Sequence, residues 1–375
     1  MGLHRIATIS LVNFLLYCAI ETSIVFIPLF GAELGGSDFQ IGLVGAFYGI
    51  AYLVSSLFCG RLSDRWGKEK FIRIGLLLSM VTFALQLLVK NLYILMFVRA
   101  GVGFAMGVAT AALVAHAFEL NADMGKFSSW GSFGWIAGAL CASWLTDINL
   151  LFGTSALLCG MAFLLAQSSS TPVSPGLVAP DGPSPGIKKA LGHNFPIYFS
   201  VFLRHLGATA VWVILPLYLN AHGMSRSVIA MTWSVNFAVQ FVVMRFLQRF
   251  DPQRVFAIGQ ILSIFTFVSF ALYYHPWFVI FVQAMLGIGW SCLYVGALLL
   301  VLRTGEEKGT ASGIFYATLN LCSAIGPFLG GIIAHYWNYQ GVMVFAALLG
   351  IAGLMVAVPG RKFMALELKV EGKCK

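Results

Sequence analysis

Charge is what this sequence has least of. Asp, Glu, Lys and Arg together make up 10% of 375 residues, and Asp plus Glu number only 14. A soluble domain carries about 25%, and so few charges could not cover the surface of a soluble protein this long. Disorder and fibrous repeats are excluded as well, since 59% of the chain is hydrophobic and Phe occurs 32 times. Missing, too, is any stretch long and polar enough to form a separate soluble domain. That argues against sensor kinases, membrane-tethered hydrolases and transporters with a fused ATP-driven motor. What remains is an integral membrane protein that lies almost wholly in the bilayer.

The motifs of catalysis are absent. There is no H-E-x-x-H, no P-loop and no G-x-S-x-G, and Gly101 and Gly103 fall inside an apolar span where they cannot form a dinucleotide loop. The expectation is a protein that is not an enzyme, with no catalytic residues, no cofactor and no metal site. Cysteines number 7, none in a C-x-x-C pair, and six sit in apolar stretches as small packing residues. No short re-entrant filter segment is visible, which argues against a channel. A receptor or scaffold would be expected to show an extra soluble domain or a long tail. The first apolar run, from Ile6 to Phe30, is too long for a cleaved signal peptide, and no A-x-A-like site follows it.

What is present is a series of twelve apolar runs, at 6–30, 40–60, 70–89, 92–117, 128–146, 150–167, 196–221, 227–246, 254–273, 276–301, 311–335 and 340–359. Each can cross a hydrocarbon core about 30 Å thick as a helix. Between the sixth and seventh runs stands SSSTPVSPGLVAPDGPSPG, residues 168–186, with five of the 12 prolines. It reads as a flexible or partly polyproline linker. The predicted organisation is a six-helix bundle over 1–168, a linker over 169–194, a second six-helix bundle over 195–360 and a basic tail over 361–375.

The halves are related to each other. At an offset of 184, residues 70–125 align with 254–309 without a gap and are identical at twelve of 56 positions, among them Gly75/Gly259, Ser79/Ser263 and Gly103/Gly287. At an offset of 188, Pro28/Pro216, Leu29/Leu217, Ser37/Ser225 and Ile41/Ile229 also match. A parallel six-plus-six repeat is a transporter architecture. With the N-terminus in the cytoplasm, nineteen of the 23 Lys and Arg residues fall in cytoplasmic segments, including both termini, and only Lys90 and Arg226 in outer loops. The positive-inside rule thus orients the chain in a cell membrane, and the net charge of +9 needs no nucleic acid to explain it.

Between the second and third spans the chain reads Gly60-Arg61-Leu62-Ser63-Asp64-Arg65-Trp66-Gly67-Lys68-Glu69-Lys70. Glycines there permit a tight turn and close helix approach, and Asp64 can accept hydrogen bonds at a facing helix N-terminus. In this segment the chain resembles the major facilitator superfamily, whose loop at this place runs G-x-L-x-D-R-x-G and then basic residues. Gly60, Leu62, Asp64, Arg65, Gly67 and Lys68 match, while Glu69 departs from the pattern. Helix number, linker and repeat extend the resemblance over the whole chain. It implies an all-α fold of twelve transmembrane helices in two bundles, and a conformational latch at Gly60, Asp64, Arg65, Gly67 and Lys68. The corresponding turn of the second half, Gln248 to Arg254, holds Asp251, which either stands in for Asp64 or is only a charged turn.

Few polar groups lie inside the spans. Arg99 opens Arg99-Ala100-Gly101-Val102-Gly103, which is similar to the family's R-x-x-x-G element, linked there to proton transfer in several drug exporters. About 10 Å below a helix end, Arg99 either faces a partner or snorkels to the interface. Glu21 is the one acidic residue deep within a span, at a depth close to that of Arg99. Desolvation disfavours a carboxylate and a neighbouring guanidinium favours it, so a group balanced between them can load and release a proton. The resemblance puts the first and fourth helices around the cavity, which makes Glu21 and Arg99 either a proton-coupling pair or a static ion pair. Arg204 lies about 13 Å from its helix end beside His205, and either binds an anionic group or meets a backbone carbonyl. His116 is expected to pack.

Gly326-Pro327-Phe328-Leu329-Gly330-Gly331 and Gly134-Trp135-Ile136-Ala137-Gly138-Ala139 stand at corresponding places of the eleventh and fifth spans. The resemblance links G-P-x-x-G-G in the fifth helix to antiporters, and Trp135 and Ala139 depart from it. Close helix packing is the expectation for Gly134, Gly138, Gly326, Pro327 and Gly330. Candidate cavity residues are Asn13, Tyr17, Arg204, His205, Trp212, Asn236, Gln283 and Trp290. The function expected is secondary transport of a small organic solute by alternating access. Proton-coupled export leads, and uptake or uniport of an organic anion is the alternative. The partners expected are a small-molecule substrate, the proton and the lipid bilayer, with the protein acting as a monomer.

Overall fold

The computed structural model describes residues 2–168, 186–273, 275–304 and 308–371. They form thirteen α-helices: α1 Gly2–Ile24, α2 Ile27–Glu33, α3 Asp38–Trp66, α4 Lys68–Leu85, α5 Leu92–Glu119, α6 Met124–Leu145, α7 Ile148–Ser168, α8 Gly186–Ala221, α9 Arg226–Val243, α10 Pro252–Leu272, α11 Pro276–Thr304, α12 Lys308–Trp337 and α13 Tyr339–Glu371. No strand occurs among the described residues. The first span is α1 and α2 together, and the break between them has a local cause. Pro28 has no N–H to donate, so the helix restarts at Ile27 with Pro28 in its first turn. Capping residues start many of the other helices. The Ser37 hydroxyl accepts from Gln40 N, Asn91 accepts from Ile94 N at 2.9 Å, and Asp123, Ser225 and Asp251 do the same for α6, α9 and α10.

Among the described residues, eleven spans are long and apolar enough to cross a membrane. The twelfth helix of the fold is α6, which is rich in Ser and Gly. Its Ser129 and Ser143 hydroxyls bond back to Lys126 O and Leu140 O at 2.8 Å, so they leave no unpaired donor on the helix surface. Large apolar side chains turn outward: Phe97, Trp144, Leu272 and Trp277 are 71–87% exposed, the reverse of a soluble surface.

Residues 169–185, which hold most of the expected linker, lie outside the described residues. From Gly186 the chain is already helical, and α13 continues through the expected tail to Glu371.

Helices α1 to α7 pack as one bundle and α8 to α13 as the other, and the repeat is visible in single contacts. A Cβ on Gly75 would sit 2.5 Å from Ala109 N, and one on Gly259 would sit 2.3 Å from Leu293 N, each partner 184 positions later. Likewise Gly103 meets Tyr48 O, and Gly287 meets Asn236 O.

The structure revises one sequence pairing, that of the fifth and eleventh helices. A Cβ on Gly138 would lie 2.6 Å from Cys18 O and one on Gly326 2.9 Å from Leu206 O, an offset of 188 on both sides (326 − 138, 206 − 18). Gly134 lies over Phe14 O, and its counterpart Cys322 donates from Sγ to Phe202 O at 3.4 Å. Gly134 therefore corresponds to Cys322 rather than Gly326. Similar spacing of glycines misaligned the two motifs by four residues.

Candidate functional site: a charged and aromatic seam between the bundles

Glu21 lies on α1 against α6, where a Cβ on Gly138 would fall 2.7 Å from the Glu21 Cβ, so there is room for no larger residue. It is buried, and its Oε1 has no hydrogen-bond partner among the described residues. Arg99 is also buried, on α5. It donates from Nη1 to Gln86 Oε1 at 3.5 Å and stacks its guanidinium 4.6 Å from the Tyr48 ring centroid. Arg99 thus faces partners instead of snorkelling, but no ion pair joins it to Glu21 among the described residues.

The second bundle holds a buried cation too, but no acidic residue in its spans. Arg204, fully buried on α8, donates from Nε to Ser263 Oγ at 2.8 Å. Its guanidinium carbon lies 5.3 Å from the Trp290 ring and 5.5 Å from the Phe267 ring. Beside it, His205 stacks on Trp290 at 4.8 Å and meets Trp212 edge-on at 5.5 Å. Arg204 Nη1 and Nη2, His205 Nδ1 and Trp212 Nε1 are all buried without a hydrogen-bond partner among the described residues.

Two candidate cavity residues turn out to tie helices together. Asn13 Nδ2 donates to Phe127 O at 3.1 Å, joining α1 to α6. Asn236 Nδ2 donates to Gln283 O at 3.0 Å, joining α9 to α11, while Gln283 Nε2 stays unpartnered. Their side-chain amides are taken up by backbone carbonyls that the helix ladder leaves with a spare lone pair.

Aromatic rings connect the bundles. Tyr17 is 5.7 Å from Trp135, Trp135 is 5.3 Å from Phe237, and Phe237 is 6.1 Å from Trp233. Trp212 follows at 6.4 Å from Trp233, then Trp290 at 6.4 Å and Tyr294 at 5.6 Å. Each of these side chains is only partly buried, so the row borders open space between the bundles.

The bundles close on each other at the face away from the basic segments. Gly42, Gly45 and Gly49 of α3 meet Pro327, Gly331 and Ser323 of α12 so closely that a Cβ would lie 2.3–2.7 Å from them. Here α12 uses both its sides: Gly326 and Gly330 pack on α8, while Pro327 and Gly331 pack on α3. Nearer the surface, Arg226 pairs with Glu33 and donates to Thr146 O at 3.2 Å, and Tyr339 donates to Asp38 Oδ1 at 3.1 Å. Glu33, Asp38 and Arg226 carry no motif. A contact across 193 residues has no local sequence signal.

On the basic face, Gly60 to Trp66 form the last turns of α3 and not a loop. The turn is Gly67 alone, with φ 97°, a conformation that side chains with a Cβ rarely adopt. Gly60 does not permit close approach, because its nearest neighbour would be Ala111 Cβ at 3.7 Å. Lys68 pairs with Glu119 and Glu69 with Arg73, and His116 lies 3.9 Å from both carboxylates. His116 therefore joins a charged network instead of packing alone. Arg65 is exposed, and the side chains of Arg61 and Asp64 lie outside the described residues. In the second half, Asp251 caps α10 by accepting from Arg254 N at 2.9 Å.

Residues 9–194 and 197–366 match the family model of the Major Facilitator Superfamily. Among curated proteins, the chain is similar to "Multidrug resistance protein MdtG" of Proteus mirabilis, 24% identical over 349 residues, 86% of this chain and 87% of that one. It is 23% identical over 366 residues to "Multi-drug resistance efflux pump PmrA" of Streptococcus pneumoniae, 90% of each. Among solved structures, the nucleoside transporter NupG superposes with a TM-score of 0.77 at 15% identity, covering 95% of this chain and 99% of that one. A bacterial homolog of the human lysosomal transporter Spinster, inward-facing and unoccupied, superposes with a TM-score of 0.75 at 14% identity, covering 97% and 98%.

Proposed function

The chain belongs to the Major Facilitator Superfamily, and from that premise we propose that it exports small organic compounds across the cell membrane in exchange for protons. The observation that carries the reading is Glu21. It is a carboxyl inside a membrane span, with one oxygen buried and unpartnered. A carboxyl held by no protein donor can take up and release a proton as its access to water changes. Arg99, held over the Tyr48 ring, is the other charged residue buried in this bundle's spans and tunes that exchange in this reading. Efflux in the relatives' names supports the outward direction.

In this reading the basic face is cytoplasmic, because nineteen of 23 Lys and Arg lie there. The closed face, with Glu33, Arg226, Asp38 and Tyr339, is then the outer gate, and the cavity opens inward. Substrate enters between the bundles along the aromatic row. The bundles, 1–168 and 195–360, rock about that site and the segment ending in Asp64, Arg65, Gly67 and Lys68 acts as the latch. The protein works as a monomer.

Proteoliposomes loaded with a small compound panel test this. Substrate-dependent proton movement opposite in direction to the substrate is expected, and Glu21→Gln should remove it. Proton movement in the same direction as the substrate would establish the second reading, uptake of an organic anion, which the unpaired Arg204 favours.

A further inference from the structure

We propose that Arg204, His205 and Trp290 form a subsite for the carboxylate of an aromatic substrate. The inference rests on the transporter reading and adds a substrate class to it. Not one Asp or Glu occurs in any membrane span of the second bundle, from 194–221 through 339–357. Arg204 is therefore a fully buried cation with no acidic residue in the spans of its own bundle, and it forms no ion pair among the described residues. A buried charge of this kind is expensive unless something pairs with it. The protein supplies one hydroxyl, Ser263 Oγ at 2.8 Å, and two ring faces. Both terminal nitrogens of the guanidinium remain buried and unpartnered.

The neighbours are of one chemical kind. Trp212 Nε1, a donor, and His205 Nδ1, a donor in one imidazole tautomer, are also buried without a partner among the described residues. Two free guanidinium nitrogens suit the two oxygens of a carboxylate, the geometry in which Arg binds such groups best. Trp290 lies within 5.3 Å of the guanidinium and 4.8 Å of the imidazole, and Trp212 closes the other side of His205. An aromatic ring attached to the carboxylate would find stacking surface there. Trp290 and Trp212 are partly exposed and belong to the aromatic row, so the subsite adjoins the space between the bundles.

Equilibrium binding of labelled benzoate to the full chain in lipid nanodiscs, with no gradient, tests this. Unlabelled benzamide and benzylamine keep the ring and change the head group from anionic to neutral or cationic. Benzoate should displace the label at least about tenfold better than either, the range of a hydrogen bond to a charged group. Arg204→Gln should abolish that preference, and Arg204→Lys should keep part of it. Equal displacement by the three compounds in the unmutated protein would overturn the proposal, whether or not the variants fold. So would a preference that survives in a folded Arg204→Gln. If proton exchange fails while the benzoate preference holds, only the export reading falls. If the preference is absent while proton exchange is intact, only the carboxylate subsite falls.

Discussion

The two bundles share a frame and differ in the ionisable groups they carry. Gly138 packs on the first helix beside Glu21, and Gly326 packs on the seventh beside Thr209, 188 positions after Glu21. Thr209 satisfies itself by donating to backbone carbonyls, among them Cys322 O at 2.9 Å, whereas Glu21 Oε1 has no partner. By the same offset Tyr17 corresponds to His205 and Leu16 to Arg204, and by the offset of 184 Arg99 corresponds to Gln283. The close approaches that hold helices together recur in both halves, because a Cβ at either glycine would strike backbone. The ionisable groups do not recur, because nothing in the packing requires them. In the proposed reading, the first bundle handles the proton and the second the solute.

The sharpest way to break that comparison is to neutralise each half separately. Glu21→Gln should abolish pH-driven transport, to background in a proteoliposome flux assay, while counterflow of substrate persists. Normal pH dependence in this variant would place the proton elsewhere. The second contrast is between the two turns of the basic face, after α3 and before α10. Asp64→Asn should lower transport by about tenfold or more and leave equilibrium binding within a few-fold, as a latch requires. Asp251→Asn should do neither, since Asn caps a helix about as well as Asp. An equal loss of transport in both would show that the second turn is a latch too.

These contrasts were unequally legible in the sequence. The repeat was visible as identities at fixed offsets, and the glycines survive because close packing depends on single positions. Glu21 and Arg99 stood out because ionisable residues are rare in spans. That they would not pair could not be read, since the direction of each side chain depends on helix rotation within the bundle. Gln86 takes Arg99, and Gly138 holds Glu21 against α6.

Smaller effects sharpen the comparison of frames. Gly75→Leu and Gly259→Leu should each destabilise by roughly 1–3 kcal/mol, the usual range for overpacking. Thermal unfolding of the two variants in detergent should show similar losses, and a loss confined to one would mean that the halves are packed differently. The smallest effect is expected at the closed face. Arg226→Ala removes a partly exposed ion pair with Glu33, worth less than about 1 kcal/mol. Spin-label distances between α3 and α12 should then show a few-fold larger open population there, and no change would leave closure to the Gly42, Gly45 and Gly49 seam alone.

By itself, the sequence determined that this chain crosses a membrane as helices in two related sets of six. Apolar length and the need to satisfy every backbone group in lipid leave no other arrangement. It also determined which few residues carry charge inside the spans. The tertiary structure alone decided what those charges face. Arg204 meets Ser263, Trp290 and Phe267, and Arg226 meets Glu33 across the seam. The reason is geometric: helical periodicity is a local property, whereas the rotation of each helix against its neighbours is settled by close contacts between residues far apart in the chain.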